Sequence, residues 1–295
     1  ASASAPTARD SVRVMGGTLQ YSARGKGMPI VLLSGGPGYA GSFLEPVFAH
    51  LSERHRVVLP DQRGTGLSVA FDDATRFTVA NAVEDIEALR RRLGVERIDL
   101  IGHSWGGMLA MVYASTYPEH TSGLTLIGSG GFDAGADAII SERLRARLTK
   151  SDRDSMRVLS ARLGNQSNQE SALRAMRLLN WKAYQFDPAN ARKLSAYLTP
   201  NGFNGRTARW MTSDLERSRP RIATDLDRAS IALGRLPVLI VYGEADVIGL
   251  ATAPELRRRF PSAKEVVIKR SGHHPWIESP AALYQSIDLF LDDRP

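Results

Sequence analysis

The ten residues Ile98-Asp-Leu-Ile-Gly-His-Ser-Trp-Gly-Gly107 constrain this chain more than any other stretch. An apolar run of strand length ends on Gly-x-Ser-x-Gly, and the apolar stretch Met108 to Ala114 then reads as a helix stopped before Pro118. A strand turning this sharply into a helix thrusts the serine hydroxyl out at the carboxyl edge of a sheet. Glycines two residues to either side remove side chains that would collide there. The helix that starts at the serine also aims its positive amino end, and the amide of Trp105, at any negative charge forming beside the hydroxyl. Such a turn belongs to a sheet whose strands alternate with helices and run mostly parallel.

The remaining sequence keeps that rhythm. Val12 to Tyr21 reads as a hairpin about Gly16-Gly17, followed by short β-branched or leucine runs at Pro29 to Leu33, Arg56 to Leu59, Ile98 to Ile101 and Leu124 to Ile127. Continuous apolar runs imply strands covered on both faces. Thr78 is placed to cap a helix with apolar residues Val83, Ile86, Leu89 and Leu93, ending at Gly94. After Gly131 the strand signals vanish for about 100 residues of helical spacing, with Leu144, Leu148, Leu173, Met176 and Leu179 as its apolar positions. They resume at Val238 to Tyr242 and Glu265 to Ile268, before a last helix over Pro280 to Leu291. The expectation is an α/β fold with a mostly parallel central sheet flanked by helices. Its core spans residues 11–131 and 227–295, a helical cap over 132–226 is inserted before the last two strands, and residues 1–10 form a flexible segment.

Composition narrows the function classes. In 295 residues, 43% are hydrophobic and 23% charged, with no internal repeat, as in an ordinary globular protein. No apolar run approaches the roughly 18 residues of a membrane span. The net charge of +7 lies entirely within residues 132–236, which carry 19 Lys and Arg against 11 Asp and Glu. No basic stripe runs through the chain, so a nucleic-acid partner is not expected. The absence of cysteine excludes disulfides, thiolate nucleophiles and zinc–thiolate sites. His50 and His55, and the adjacent His273 and His274, lack the spacing of metal ligands, so neither a metal nor another cofactor is expected. The opening Ala1-Ser-Ala-Ser-Ala-Pro-Thr is like the small-residue segment that follows a removed signal peptide. On that reading the chain is periplasmic or secreted; otherwise it is cytoplasmic.

A serine hydroxyl is a weak nucleophile until a histidine takes its proton and an acid orients that histidine, in the chain order Ser, Asp/Glu, His. Both partners follow strands whose carboxyl ends share the edge occupied by Ser104. Asp246 lies in Gly243-Glu-Ala-Asp246 and His273 in Ser271-Gly-His273. Glu244 competes for the acid's role and His274 for the base's. The loop Ser34-Gly35-Gly36-Pro37-Gly38, after an early strand, offers the amide of Gly36 as a second oxyanion donor beside Trp105. A phosphate loop is excluded, because no Lys-Ser/Thr follows these glycines. The stretch Gly64-Thr-Gly66 lacks the third glycine of a dinucleotide loop.

Taken together, these residues resemble the α/β-hydrolase superfamily from about Val12 to Leu291. Gly35-Gly-Pro-Gly38, Asp61-Gln-Arg-Gly-Thr-Gly-Leu-Ser68, Gly102-His-Ser-Trp-Gly-Gly107 and Ser271-Gly-His273 are similar to motifs of proline iminopeptidases and related serine hydrolases. The resemblance implies a triad of Ser104, Asp246 and His273, with the amides of Gly36 and Trp105 as oxyanion donors. Two positions depart from the family pattern. Ser34 stands where the family has His, and Trp181-Lys-Ala-Tyr184-Gln185 carries a neutral glutamine where iminopeptidases hold the substrate amine with a glutamate. A protonated amine in a desolvated pocket needs a carboxylate, for which Glu170 and Glu216 are the substitutes. Trp181, Tyr184, Gln185, Trp210 and Trp276 are the expected substrate-binding residues, with Tyr39, Phe43 and Phe186 as further aromatics. The expected function is a cofactor-free serine hydrolase acting on a small ester, amide or short peptide. A proline-releasing aminopeptidase is the alternative within that class; a ligand-binding receptor or a cofactor-free oxygenase or perhydrolase is the alternative outside it.

Overall fold

The computed structural model describes residues 7–69, 71, 73–162, 169–199 and 201–294. Its eight strands are β1 (Ala8–Val14), β2 (Gly17–Arg24), β3 (Pro29–Leu33), β4 (Arg56–Pro60), β5 (Ile98–His103), β6 (Thr121–Ile127), β7 (Val238–Gly243) and β8 (Lys264–Ile268). They form one sheet in the order β1-β2-β4-β3-β5-β6-β7-β8. Only the β1/β2 and β2/β4 pairings are antiparallel; the remaining five are parallel. The first strand begins at Ala8, so the expected flexible segment over 1–10 includes strand residues, while residues 1–6 lie outside the described ones.

Twelve helices are described: α1 (Glu45–Leu51), α2 (Val79–Leu93), α3 (Trp105–Thr116), α4 (Ala136–Arg147), α5 (Lys150–Arg162), α6 (Gln169–Tyr184), α7 (Ala191–Leu194), α8 (Gly205–Arg228), α9 (Ser230–Leu233), α10 (Val247–Arg259), α11 (Pro275–Glu278) and α12 (Pro280–Asp292). Helix α2 starts where Thr78 accepts a bond from the Asn81 amide and stops at Gly94, which takes the left-handed conformation with φ 70°. Alternation along the strands explains why the central runs are apolar throughout. Val31 and Leu33 face one core with Ile86, Leu89, Leu109 and Tyr113. Ile30 and Leu32 face the other, with Phe48, Val47, Leu283 and Ile287 from α1 and α12.

Helices α4 to α9 fill the chain between β6 and β7, as the loss of strand signals predicts. The 24 residues of α8, however, pack on the sheet side of the molecule. Its Met211, Leu215, Ile222 and Leu226 join the core cluster of α2 and α3. Helix α8, most of which falls within the expected cap over 132–226, thus buries one face in the core. Among the described residues no helix is long and apolar enough to cross a membrane.

The loop after β4 is fixed by a buried ion pair. Arg63 donates from Nε and Nη2 to the two carboxylate oxygens of Asp85 at 2.8 and 2.6 Å, and its remaining donors reach the carbonyls of Arg76 and Asn81. Removing one partner of such a pair strands a buried charge, at a cost of about 3–5 kcal/mol. Asp85→Asn is expected to lower the unfolding free energy by that amount in a urea titration, whereas Asp154→Asn, at an exposed pair on α5, changes it by less than about 1 kcal/mol.

Candidate active site

Ser104 sits between β5 and α3 with φ 54° and ψ −116°, a left-handed conformation that costs a non-glycine residue roughly 1–3 kcal/mol. The neighbouring glycines explain how the turn tolerates it. A Cβ on Gly102 would lie 2.3 Å from the Gly106 carbonyl oxygen, and a Cβ on Gly106 would lie 2.0 Å from that of Leu33. The Ser104 amide donates to the Ile127 carbonyl at 3.0 Å, tying the turn to the end of β6.

Asp246 caps α10, accepting from the Ile248 amide at 3.0 Å, and the same Oδ1 stands 3.0 Å from Nδ1 of His273. The aspartate is fully buried and the histidine nearly so. Gly128, with φ 51°, leaves the space the pair occupies, because a Cβ there would meet Asp246 Oδ2 at 2.5 Å and His273 Nδ1 at 2.9 Å. Glu244 is engaged elsewhere, accepting from the Arg270 amide and pairing with Lys269.

The His273 amide donates to the Tyr184 carbonyl at 2.7 Å, and Gly272 permits this approach, since its Cβ would lie 2.2 Å from that oxygen. Three buried histidine rings meet here: His103 and His273 are 4.5 Å apart, and His273 and His274 are 5.1 Å apart. His103 Nε2 lies 3.0 Å from the His273 carbonyl, which can only accept, so Nε2 carries the proton. The Gln185 amide nitrogen lies 2.7 Å from His274 Nδ1, which must accept. Burial, and secondarily the nearness of His273, hold both His103 and His274 well below the usual histidine range.

The loop after β3 is tied to this turn through Gln62, a residue to which the sequence assigns no role of its own. Ser34 Oγ donates to the Tyr39 carbonyl at 2.8 Å, and Gln62 Nε2 donates to the Ser34 carbonyl at 2.8 Å. Gln62 Oε1 in turn accepts from the indole of Trp105 at 3.0 Å. Ser34, the departure noted above, is thus one link of a polar chain. Gly36 has φ 121°, and a Cβ there would crowd the Gly38 amide at 2.7 Å. Glu278 is a further tie without a sequence signal. It accepts from the amides of Phe186, Asp187 and Gly272 at 2.7 to 2.9 Å, joining the end of α6 to the His273 loop.

A cavity of about 330 Å³ opens over Ser104 and His273. Gly36, Tyr39, Phe43, Trp181 and Tyr184 line it, together with His103, His274, Phe203, Met176 and Arg177. Three expected substrate contacts fall elsewhere. Gln185 is turned into the protein against His274, bonded there because α6 ends beneath it. Trp276 stands behind the cavity wall, edge-on to His103 and Phe43. Trp210, on α8, packs with Phe77 at 4.8 Å because that helix belongs to the core face. Phe186 is exposed, under the guanidinium of Arg270. Glu216 is exposed on α8, and the side chain of Glu170 lies outside the described residues.

The alpha/beta hydrolase fold family model matches residues 28–280, and the chain belongs to that family. Among individual relatives, the proline iminopeptidase of Lactobacillus delbrueckii subsp. lactis is 28% identical over 274 residues, covering 89% of this chain and 90% of that one. The cis-3-alkyl-4-alkyloxetan-2-one decarboxylase of Shewanella oneidensis is 39% identical over 119 residues, 40% of this chain; the match spans only 37% of the relative's length. The proline iminopeptidase-related protein of Thermus thermophilus superposes with a TM-score of 0.72 at 24% identity, covering 97% of this chain and 98% of that one.

The buried neutral histidines carry a pH signature. The unfolded chain binds protons at histidine near pH 6.5 whereas folded His103 and His274 do not, so stability is complete above that pH and falls as pH drops below it. Each contributes a slope of at most about 1.4 kcal/mol per pH unit. Urea unfolding between pH 6.5 and 5 is expected to show this loss, and His274→Gln to flatten it by up to one proton's worth.

Proposed function

We propose that the protein is a serine hydrolase that cleaves a small ester or amide through an acyl-enzyme, with Ser104 as nucleophile, His273 as general base and Asp246 as the acid that orients it. The observation that carries the reading is the buried 3.0 Å contact between Asp246 and His273, which lies behind a cavity lined by His273 and by Ser104 at its strained turn. In this mechanism the Ser104 hydroxyl adds to the substrate carbonyl as His273 takes its proton. The amides of Gly36 and Trp105, which make no other hydrogen bond among the described residues, stabilise the oxyanion. His273 returns the proton to the departing alkoxide or amine. Water, deprotonated by His273, then releases the acid and restores Ser104.

The names of several relatives favour release of an N-terminal proline. Against that reading, no carboxylate lines the cavity among the described residues, and a desolvated α-ammonium requires one. A neutral or anionic ester or acylated amide is therefore the better substrate class. In a screen of aryl esters against prolyl arylamides with free and blocked amines, the expected outcome is that esters and blocked amides are turned over faster. A free-amine prolyl arylamide outperforming every ester would reverse it.

A fluorophosphonate probe is expected to label Ser104, and Ser104→Ala to abolish both labelling and turnover while leaving the thermal midpoint within a few degrees. Asp246→Asn is expected to lower kcat by about 10⁴, as wrong-tautomer changes do in triads. Labelling at another serine would overturn the assignment. Gly36→Val tests the oxyanion loop, and its kcat/KM is expected to fall further than its stability.

A further inference from the structure

We infer that Arg177 is a specificity residue that binds a carboxylate on the substrate, so that the site takes small esters or amides bearing an anionic group several bonds from the scissile carbonyl. Arg177 is the only residue with a permanent charge among the described residues lining the cavity. It forms no ion pair with any described carboxylate, unlike buried Arg63 and Arg259, whose guanidiniums are held by Asp85 and Glu255. Its guanidinium carbon lies over Phe203, 4.9 Å from the ring centroid, and its N–H groups donate to no described residue. The edge of a guanidinium is the part of the group that matches a carboxylate with two parallel hydrogen bonds.

The surroundings of Arg177 are partly sheltered and largely aromatic. Arg177 is partly buried, beside the phenol of Tyr39, which burial pushes far above the usual tyrosine range and so keeps neutral. Tyr39, Phe43, Trp181 and Phe203 form a continuous aromatic wall, with neighbouring ring centroids 4.5 to 6.2 Å apart. Position along α6 sets the scale of the substrate. Tyr184, whose ring lies 5.1 Å from that of His273, follows Arg177 by seven residues, roughly 10 Å of helix. The long arginine side chain shortens that span, which leaves room for a linker of several atoms between the reacting carbonyl and the carboxylate, within a cavity of about 330 Å³.

This inference rests on the serine-hydrolase reading for its turnover assay, and its test separates the two. The probes are 4-nitrophenyl monoesters of glutarate, adipate and pimelate, each paired with its methyl-capped neutral diester. The expected result is a kcat/KM ratio of anionic to neutral ester of about 10 to 100 for the best chain length, the scale of one charge-assisted hydrogen bond in a sheltered site. Arg177→Gln brings that ratio to about one and Arg177→Lys retains part of it. Arg174→Gln, which removes the same charge from the exposed face of α6, preserves the ratio. Calorimetry with adipate on the Ser104→Ala protein supplies a readout without turnover, with binding expected there and lost when Arg177→Gln is added. Equal rates for the paired esters, or a ratio unchanged by Arg177→Gln, would overturn the inference while leaving the hydrolase reading intact. No ester turnover at all, with adipate binding that depends on Arg177, would overturn the hydrolase reading and keep the anion site.

Discussion

Everything in this site depends on how closely the start of α3 approaches β3 and β5. The space a side chain on Gly106 would need is occupied by the Leu33 carbonyl, and the corresponding space at Gly102 by the Gly106 carbonyl. Contacts that short exist only between bare backbones, so two glycines set the separation of three elements. The consequence is that the loop leaving β3 is delivered beside the serine. A Cβ on Gly35 would touch His103 Nδ1 at 2.7 Å and the Ser104 Cβ at 3.2 Å. The chain from Ser34 through Gln62 to the Trp105 indole then holds that loop in register with the helix. Strain at Ser104 persists because the packing around it is over-determined.

The second dependency runs between α6 and the His273 loop. His273 donates its amide to the carbonyl of the last residue of α6, and Glu278 binds amides on both sides of that junction. The histidine loop therefore has no position independent of α6. That helix also carries Trp181 and Arg177 into the cavity, so its placement sets the shape of the cavity and the position of the His273 loop together.

How much of this is legible in the sequence follows from the range of the interactions involved. The turn at Ser104, the cap at Thr78 and the alternating core rest on neighbours within a few residues, and local spacing reveals them. Asp246 and His273 are far apart in sequence, yet each follows a strand whose end must reach the same sheet edge, so topology places them. The lining of the cavity obeys no such rule. Trp210 and Trp181 are both aromatic residues on helices of the insertion, and only the burial of α8 in the core cluster it shares with α2 and α3 separates core packing from cavity wall. Gln185 aligns with a family position for an acid, but the final turn of α6 rotates it toward His274. Arg177 is one of many basic residues in the segment, distinguished only by the docking of α6, which brings it to the cavity wall.

The turned-in glutamine has its own electrostatic logic. In the proposed mechanism His273 accepts a proton and becomes a cation, and the group beside it to stabilise that charge is the buried carboxylate of Asp246. The two neighbouring rings, at 4.5 and 5.1 Å, stay neutral because they are buried, with the Gln185 amide donating to His274 and so favouring its unprotonated Nδ1. A glutamate at position 185 would do the reverse. Its carboxylate would hold a proton on His274 and place a second positive charge against His273, opposing the protonated state that the proposed mechanism requires. On the proposed mechanism a neutral residue at 185 leaves the charge of His273 under the control of Asp246 alone, and the proposed contact with an anionic substrate falls instead to Arg177, about two turns earlier on α6.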